Sequence, residues 1–182
     1  MSGLLSWLFV PKCAVCKKRL SANREILLCD ECLLRWEREK QSDCPRICQI
    51  VTLREKKTGK LFRVFNVHLD HISEEARVLG MGAALEAIEK ENQKLALPLF
   101  LLGDMNAYPE SEAIKNAKSV LVDLTENSGA TYHEFGHKEE EIDYIFTDTQ
   151  TAKNPWQCTR VERMEHGIYL SDHYPVMVEG EI

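Results

Sequence analysis

The sequence predicts an α+β chain in two unequal parts, a cysteine-rich module at residues 1–44 and a strand-and-helix domain at residues 45–182. Three observations predict this. Six of the seven cysteines fall between Cys13 and Cys48, and Cys158 stands alone. Between Cys44 and Val51 the composition changes from cysteines and charged, helix-like segments to β-rich apolar runs separated by turn signals. Beyond that point, helical patterns are interleaved with strand patterns, and acid, amide and imidazole groups fall where the strands end.

The bulk properties fit this division. A chain of 182 residues accommodates a small module beside a domain of about 100–150 residues. With 44% hydrophobic and 29% charged residues it has the composition of a packed globular protein. The net charge of −6 opposes nucleic-acid binding by general basicity, and a small phosphate ester is easier to accommodate. A bound cation can still reverse the field locally. No apolar run approaches the roughly 20 residues that cross a bilayer. The segment Leu4 to Val10 is too short for a span and lacks the basic leader of a signal peptide. Paired cysteines with one left over suit a reducing, cytoplasmic setting better than a secreted disulfide framework.

In chain order, Cys13-x2-Cys16 and Cys29-x2-Cys32 come first. Four thiolates in two knuckles suit a tetrahedral, closed, structural Zn²⁺ site. Ile50 to Arg54 and Leu61 to Leu69 read as a hairpin closed by Lys57-Thr58-Gly59-Lys60. In the second run Leu61, Phe65, Val67 and Leu69 alternate with Phe62, Val64, Asn66 and His68, which predicts a strand buried on both faces. Ser73 before Glu74 and Glu75 is a helix start. Val78, Met81, Leu85 and Ile88 then recur at helical spacing, to about Gln93. A strand at Pro98 to Leu102, a short helix at Glu110 to Ala117, and strands at Ile142 to Thr147 and Tyr174 to Val178 follow.

Four strand ends carry the chemistry: Asn66-Val67-His68, Gly103-Asp104-Met105-Asn106, Ile142-Asp143-Tyr144 and Ser171-Asp172-His173. Residues two apart on a strand share a face, so Asn66 and His68 can reach one phosphate, and Asp104 and Asn106 lie together. Hydrolysis of a phosphate ester needs charge neutralisation on the phosphoryl oxygens, an activated water and help for the leaving oxygen. Carboxylates, amides and imidazoles supply these around a hard cation such as Mg²⁺ or Mn²⁺.

The ordered segments FNVHLDHISEEAR, LLGDMNAYPES, EIDYIF and YLSDHYPV resemble the motifs of the endonuclease/exonuclease/phosphatase superfamily. The resemblance covers about Pro45 to Ile182 and implies a partial β-sandwich flanked by helices, half of a four-layer αββα fold. It implies a metal-dependent phosphoesterase acting on a phosphodiester or phosphomonoester. It makes His68 a phosphate ligand or leaving-group acid. Asp104 would orient or deprotonate the attacking water, Asn106 would hold the phosphate or that water, and Asn66 would bind substrate. Asp172 and Asp104 would serve the Mg²⁺ site. His173 would be a base or phosphate ligand with Asp143 fixing its tautomer. His71 and Arg77 extend the first motif, and Tyr132-His133-Glu134-Phe135 resembles a substrate-side loop.

The same resemblance predicts a truncated domain, because the metal-binding Glu and the early Asn of the family's first half have no counterpart. An open sheet face is therefore expected, with self-association through it. The segments LFVPKCAVCKKRL, LLCDECLLRW and DCPRIC resemble the zinc ribbon of ComF-type phosphoribosyltransferase proteins, although no phosphoribosyl-pyrophosphate loop follows. The two resemblances overlap at Cys44-Pro45-Arg46, which suggests a fusion of two fragments. Two further readings stay open: a non-catalytic zinc-binding chimera with a remnant hydrolase site, and a nucleic-acid-binding module using Lys12, Lys17, Lys18 and Arg19.

Overall fold

The computed structural model describes residues 45–162 and 164–182. The expected zinc ligands Cys13, Cys16, Cys29 and Cys32, and the expected module at residues 1–44, lie outside the described residues.

The domain is built on a five-stranded mixed sheet of order β1-β2-β3-β5-β4. Its strands are β1 (Cys48–Arg54), β2 (Leu61–His68), β3 (Leu99–Asp104), β4 (Val122–Asp123) and β5 (Asp143–Thr147). The β1–β2 hairpin forms as the turn residues predict, with Gly59 at φ 75°, a conformation open to a residue without Cβ. The Glu55 carboxylate receives the N–H of Lys57 at 2.8 Å and that of Thr58. These bonds hold its pKa down to about 2.

β2 and β3 run parallel, so a crossover must join them, and helix α1 (Glu74–Lys94) supplies it. The Ser73 hydroxyl caps α1 by accepting the Ala76 N–H at 3.2 Å. The entry to α1 is held by Asp70, which is 2% exposed. Its Oδ1 accepts the N–H groups of Ile72 at 2.9 Å and Ser73 at 2.6 Å. Asp70→Ala removes the acceptor shared by both donors at the helix entry and is expected to lower unfolding stability by about 1–3 kcal/mol. Urea denaturation of the two proteins measures this, and an unchanged midpoint would contradict it.

The short helix α2 (Glu112–Lys118) is capped by Ser111. Met81, Ala84 and Ile88 of α1, with Ala113, Ile114 and Ala117 of α2, bury one face of the sheet. That face presents Phe65, Val67, Leu99, Leu101, Tyr144 and Phe146. The buried Arg63 shares it by donating to the Leu95 carbonyl at 3.2 Å, beyond the last turn of α1.

The other face is divided. A ribbon of β6 (Trp156–Arg160) and β9 (Val176–Gly180) lies against its apolar end, with Trp156 edge-on to Phe100 at 5.4 Å. Between the layers is a groove of about 540 Å³ lined by Phe62, Val64, Phe100, Leu102, Ile145, Trp156, Val176 and Val178. This corrects the expectation for β2: Phe65 and Val67 are buried, Phe62 and Val64 are only partly covered, and Asn66 and His68 are exposed. Two opposing strands are too few to cover five. At the sheet edge, β1 exposes Ile50, Val51 and Leu53. A second hairpin, β7 (Met164–Glu165) with β8 (Ile168–Tyr169), precedes β9. No described helix is long and apolar enough to cross a membrane.

Candidate active site

Strand register aligns the site. Across the parallel pair His68 stands beside Asp104, and across the antiparallel pair Asp104 stands beside Asp143. Neighbours in register project from the same face, so three polar side chains form a row at the uncovered end of the divided face. His68 Nε2 lies 3.4 Å from Asp104 Oδ2.

The turn that delivers Asp104 has steep backbone requirements. Gly103 has φ 135°, and a Cβ there would lie 1.8 Å from the Val67 carbonyl oxygen. Only glycine lets β2 and β3 approach this closely. Asn106 takes the left-handed conformation at φ 47°, which asparagine tolerates better than most residues. Its N–H donates to Asp104 Oδ1 at 2.8 Å, and its amide Nδ2 donates to the Leu69 carbonyl at 3.1 Å. Met105 N–H donates to the Ile142 carbonyl at 2.8 Å, which ties this turn to the start of β5.

His173 arrives on the connection into β9. Its Nδ1 lies 2.7 Å from Asp143 Oδ2, and its Nε2 faces Asp104 Oδ2 at 3.9 Å. An ionised carboxylate only accepts, so Nδ1 carries the proton and Nε2 is left as the free base. The Tyr132 ring packs against the imidazole at 4.9 Å between centroids, and Lys138 Nζ lies 5.5 Å from the centre of the same ring. Burial raises the Asp104 carboxyl above the usual carboxylate range; the negative Asp143 adds to this, while the Asn106 N–H, His68 and His173 oppose it.

The structure thus brings together His68, Asp104, Asn106, Asp143 and His173. Asn66 lies one step further along the same face of β2, with its Oδ1 against Gly103. The carboxylate of Asp172 receives the Ser171 hydroxyl at 3.4 Å, and its backbone carbonyl accepts the His133 N–H at 2.9 Å. His71 and Arg77 serve the β2–α1 loop: His71 Nδ1 bonds Arg46 at 2.8 Å, and Arg77 donates to the Asp70 carbonyl at 3.1 Å. His133 is buried, stacked on Tyr174 at 4.0 Å.

Asp104, Asp143 and His173 each offer a ligand atom within 4.8 Å of the others. Oxygen-rich donors of this kind fit a hard divalent cation that keeps several waters. His173 Nδ1 and Asp143 Oδ2 are already bonded to each other and Asp104 Oδ1 accepts the Asn106 N–H, so Asp104 Oδ2, which faces both imidazoles, is the carboxylate oxygen turned into the site. The site residue that sequence reasoning missed is Thr131, whose hydroxyl receives the N–H of Asp143 at 3.0 Å. A lone threonine in a polar loop carries no spacing signal.

No family model and no curated protein sequence matches the chain. Solved structures do. A conserved protein of unknown function from Enterococcus faecalis is 30% identical at a TM-score of 0.66, covering 78% of this chain and 59% of its own. A mannosyl-6-phosphatase from Bacteroides thetaiotaomicron is 26% identical at a TM-score of 0.65, with the same coverage. An endonuclease/exonuclease/phosphatase from Bacteroides vulgatus is 28% identical at a TM-score of 0.66, covering 78% of this chain and 57% of its own. The chain therefore spans somewhat under three-fifths of the length of these structures. Its structural neighbours are endonuclease/exonuclease/phosphatase family proteins, and its α+β arrangement of one mixed sheet and two helices matches part of that fold.

Proposed function

We propose that residues 45–182 form a metal-assisted phosphoesterase site that hydrolyses a small phosphomonoester or phosphodiester. The observation that carries this reading is the His173–Asp143 bond of 2.7 Å with the free Nε2 turned toward Asp104 at 3.9 Å. A water oxygen placed about 2.8 Å from both atoms completes a triangle with them, each leg an ordinary hydrogen bond. Nε2 takes a proton from that water as its oxygen attacks phosphorus, and Asp143 compensates the imidazolium that forms. Asp104 and Asn106 orient the water and the phosphate, with Asn66 on a second phosphoryl oxygen. As the ester P–O bond breaks, His68 gives a proton to the departing alcohol.

Asp104, from its cluster with Asp143 and His173, would hold Mg²⁺ or Mn²⁺, which when bound would neutralise phosphoryl charge and acidify the attacking water; Asp172, the other expected ligand, is not part of that cluster. The mannosyl-6-phosphatase among the structural neighbours supports a phosphate-ester substrate, and the acidic charge of the chain favours a small one over a polyanion.

The purified chain is expected to hydrolyse p-nitrophenyl phosphate or bis-p-nitrophenyl phosphate with Mg²⁺ or Mn²⁺. EDTA should abolish the turnover, and so should Asp104→Ala. Turnover that survives EDTA, or is equal in the variant, would show a contaminating activity. Absence of turnover on both esters would overturn the reading in favour of a non-catalytic zinc-binding chimera.

A further inference from the structure

His173 and Asp143 come from chain segments 30 positions apart, and among the described residues no strand pairing joins the two segments directly. A third segment, residues 131–133, lies between them. On one side Thr131 N–H and Tyr132 N–H donate to the Glu140 carbonyl at 2.8 and 2.9 Å, and Glu140 N–H donates back to the Tyr132 carbonyl at 2.9 Å. On the other side the Thr131 carbonyl accepts the Tyr174 N–H at 2.7 Å, and His133 N–H donates to the Asp172 carbonyl at 2.9 Å. Tyr132 accordingly bridges both Glu140 and His173.

Within this strip the Thr131 side chain has its own task. It is fully buried, and its Oγ1 accepts two backbone donors, Ile142 N–H at 3.2 Å and Asp143 N–H at 3.0 Å. Asp143 is the first residue of β5, in register with Asp104, and Ile142 immediately precedes it. Thr131 therefore grips the residue that bears one carboxylate oxygen through its hydroxyl, and the residue next to the imidazole through its carbonyl. A buried N–H deprived of its acceptor costs enough to make the segment shift until it finds another.

We infer that Thr131 is the positioning residue that sets the His173–Asp143 hydrogen bond. The inference rests on the proposed role of that pair, but its direct readout does not. The Nδ1 proton shared between an imidazole and a carboxylate gives a separate downfield resonance in the proton spectrum, observable whether or not the protein turns over substrate. It is assigned by its disappearance in Asp143→Ala.

Thr131→Val keeps the shape of the side chain but cannot accept the two N–H groups. Thr131→Ser keeps the oxygen and loses only the methyl. The expected result is loss or a marked upfield shift of the resonance in Thr131→Val and its retention in Thr131→Ser. Where wild type is active, hydrolysis should fall about tenfold to a hundredfold in the valine variant, mainly in kcat, and recover with serine. A resonance unchanged in Thr131→Val overturns the inference. If the valine variant does not fold, Thr131→Ser and Thr131→Ala are compared, and equal effects of the two overturn it as well. A wild type that shows the resonance but no turnover would sink the phosphoesterase reading alone.

Discussion

Asp143→Asn is expected to reduce hydrolysis by about three to four orders of magnitude while leaving the fold intact. The carboxylate accepts the Nδ1 proton of His173 at 2.7 Å and so leaves Nε2 bare. An asparagine side chain can present its NH₂ at the same position, donate to Nδ1, and force the ring proton onto Nε2. The imidazole then occupies the same place in the wrong tautomer and cannot accept a proton from water. His173→Ala removes the base altogether and should fall at least as far. Because the residues act as a unit, the double variant should lose little beyond the worse single one. The assay is kcat/KM on the ester that wild type hydrolyses, and near-normal rates for Asp143→Asn would refute the assignment.

The second large effect is on stability. Gly103→Ala should destabilise the domain by more than about 4 kcal/mol, in the range reserved for changes that break a specific structural requirement. A Cβ would sit 1.8 Å from the Val67 carbonyl oxygen and 3.2 Å from Asn66 Oδ1, on a backbone at φ 135° that side chains avoid. No rotamer relieves a clash between a Cβ and backbone, so β2 and β3 would have to part at the point where His68 is in register with Asp104. Chemical denaturation should show the loss, with much reduced soluble yield. An alanine variant of wild-type stability would mean that the strands do not meet as described.

Some of this architecture is legible in the residues themselves. The Ser73-Glu74-Glu75 start and the spacing of Met81 and Ile88 mark the long helix, because capping and periodicity are local properties. The alternation in Leu61 to His68 marks a strand, and the turn residues around Gly59 mark the hairpin. Strand-end polar groups point to His68, Asp104, Asn106, Asp143 and His173, which do converge. What is not legible is non-local. Val122–Asp123, Met164–Glu165 and Ile168–Tyr169 are two-residue strands, too short for any period. Trp156–Arg160 mixes polar and apolar residues because only part of it is covered. Thr131 acquires its role from two backbone N–H groups brought to it by folding, and no pattern in the sequence announces that. The partial exposure of Phe62 and Val64 likewise depends on how many strands lie opposite, which β2 itself does not encode.

The docking of the β6–β9 ribbon has a consequence for how many molecules are reactive at any moment. His173 is carried on the segment leading into β9, while Asp104 and Asp143 belong to the five-stranded sheet. A two-stranded ribbon is marginal alone and keeps its place through contacts such as Trp156 on Phe100. A local opening of the ribbon that also broke the Tyr174–Thr131 and His133–Asp172 bonds would part His173 from Asp104 and Asp143, and the observed rate would then be the intrinsic rate multiplied by the closed fraction. At a closing free energy of about 1.4 kcal/mol that fraction is roughly nine-tenths, and at zero it is about one half. A ligand that binds the groove more tightly when the ribbon is docked than when it is open would raise that fraction, and with it the rate.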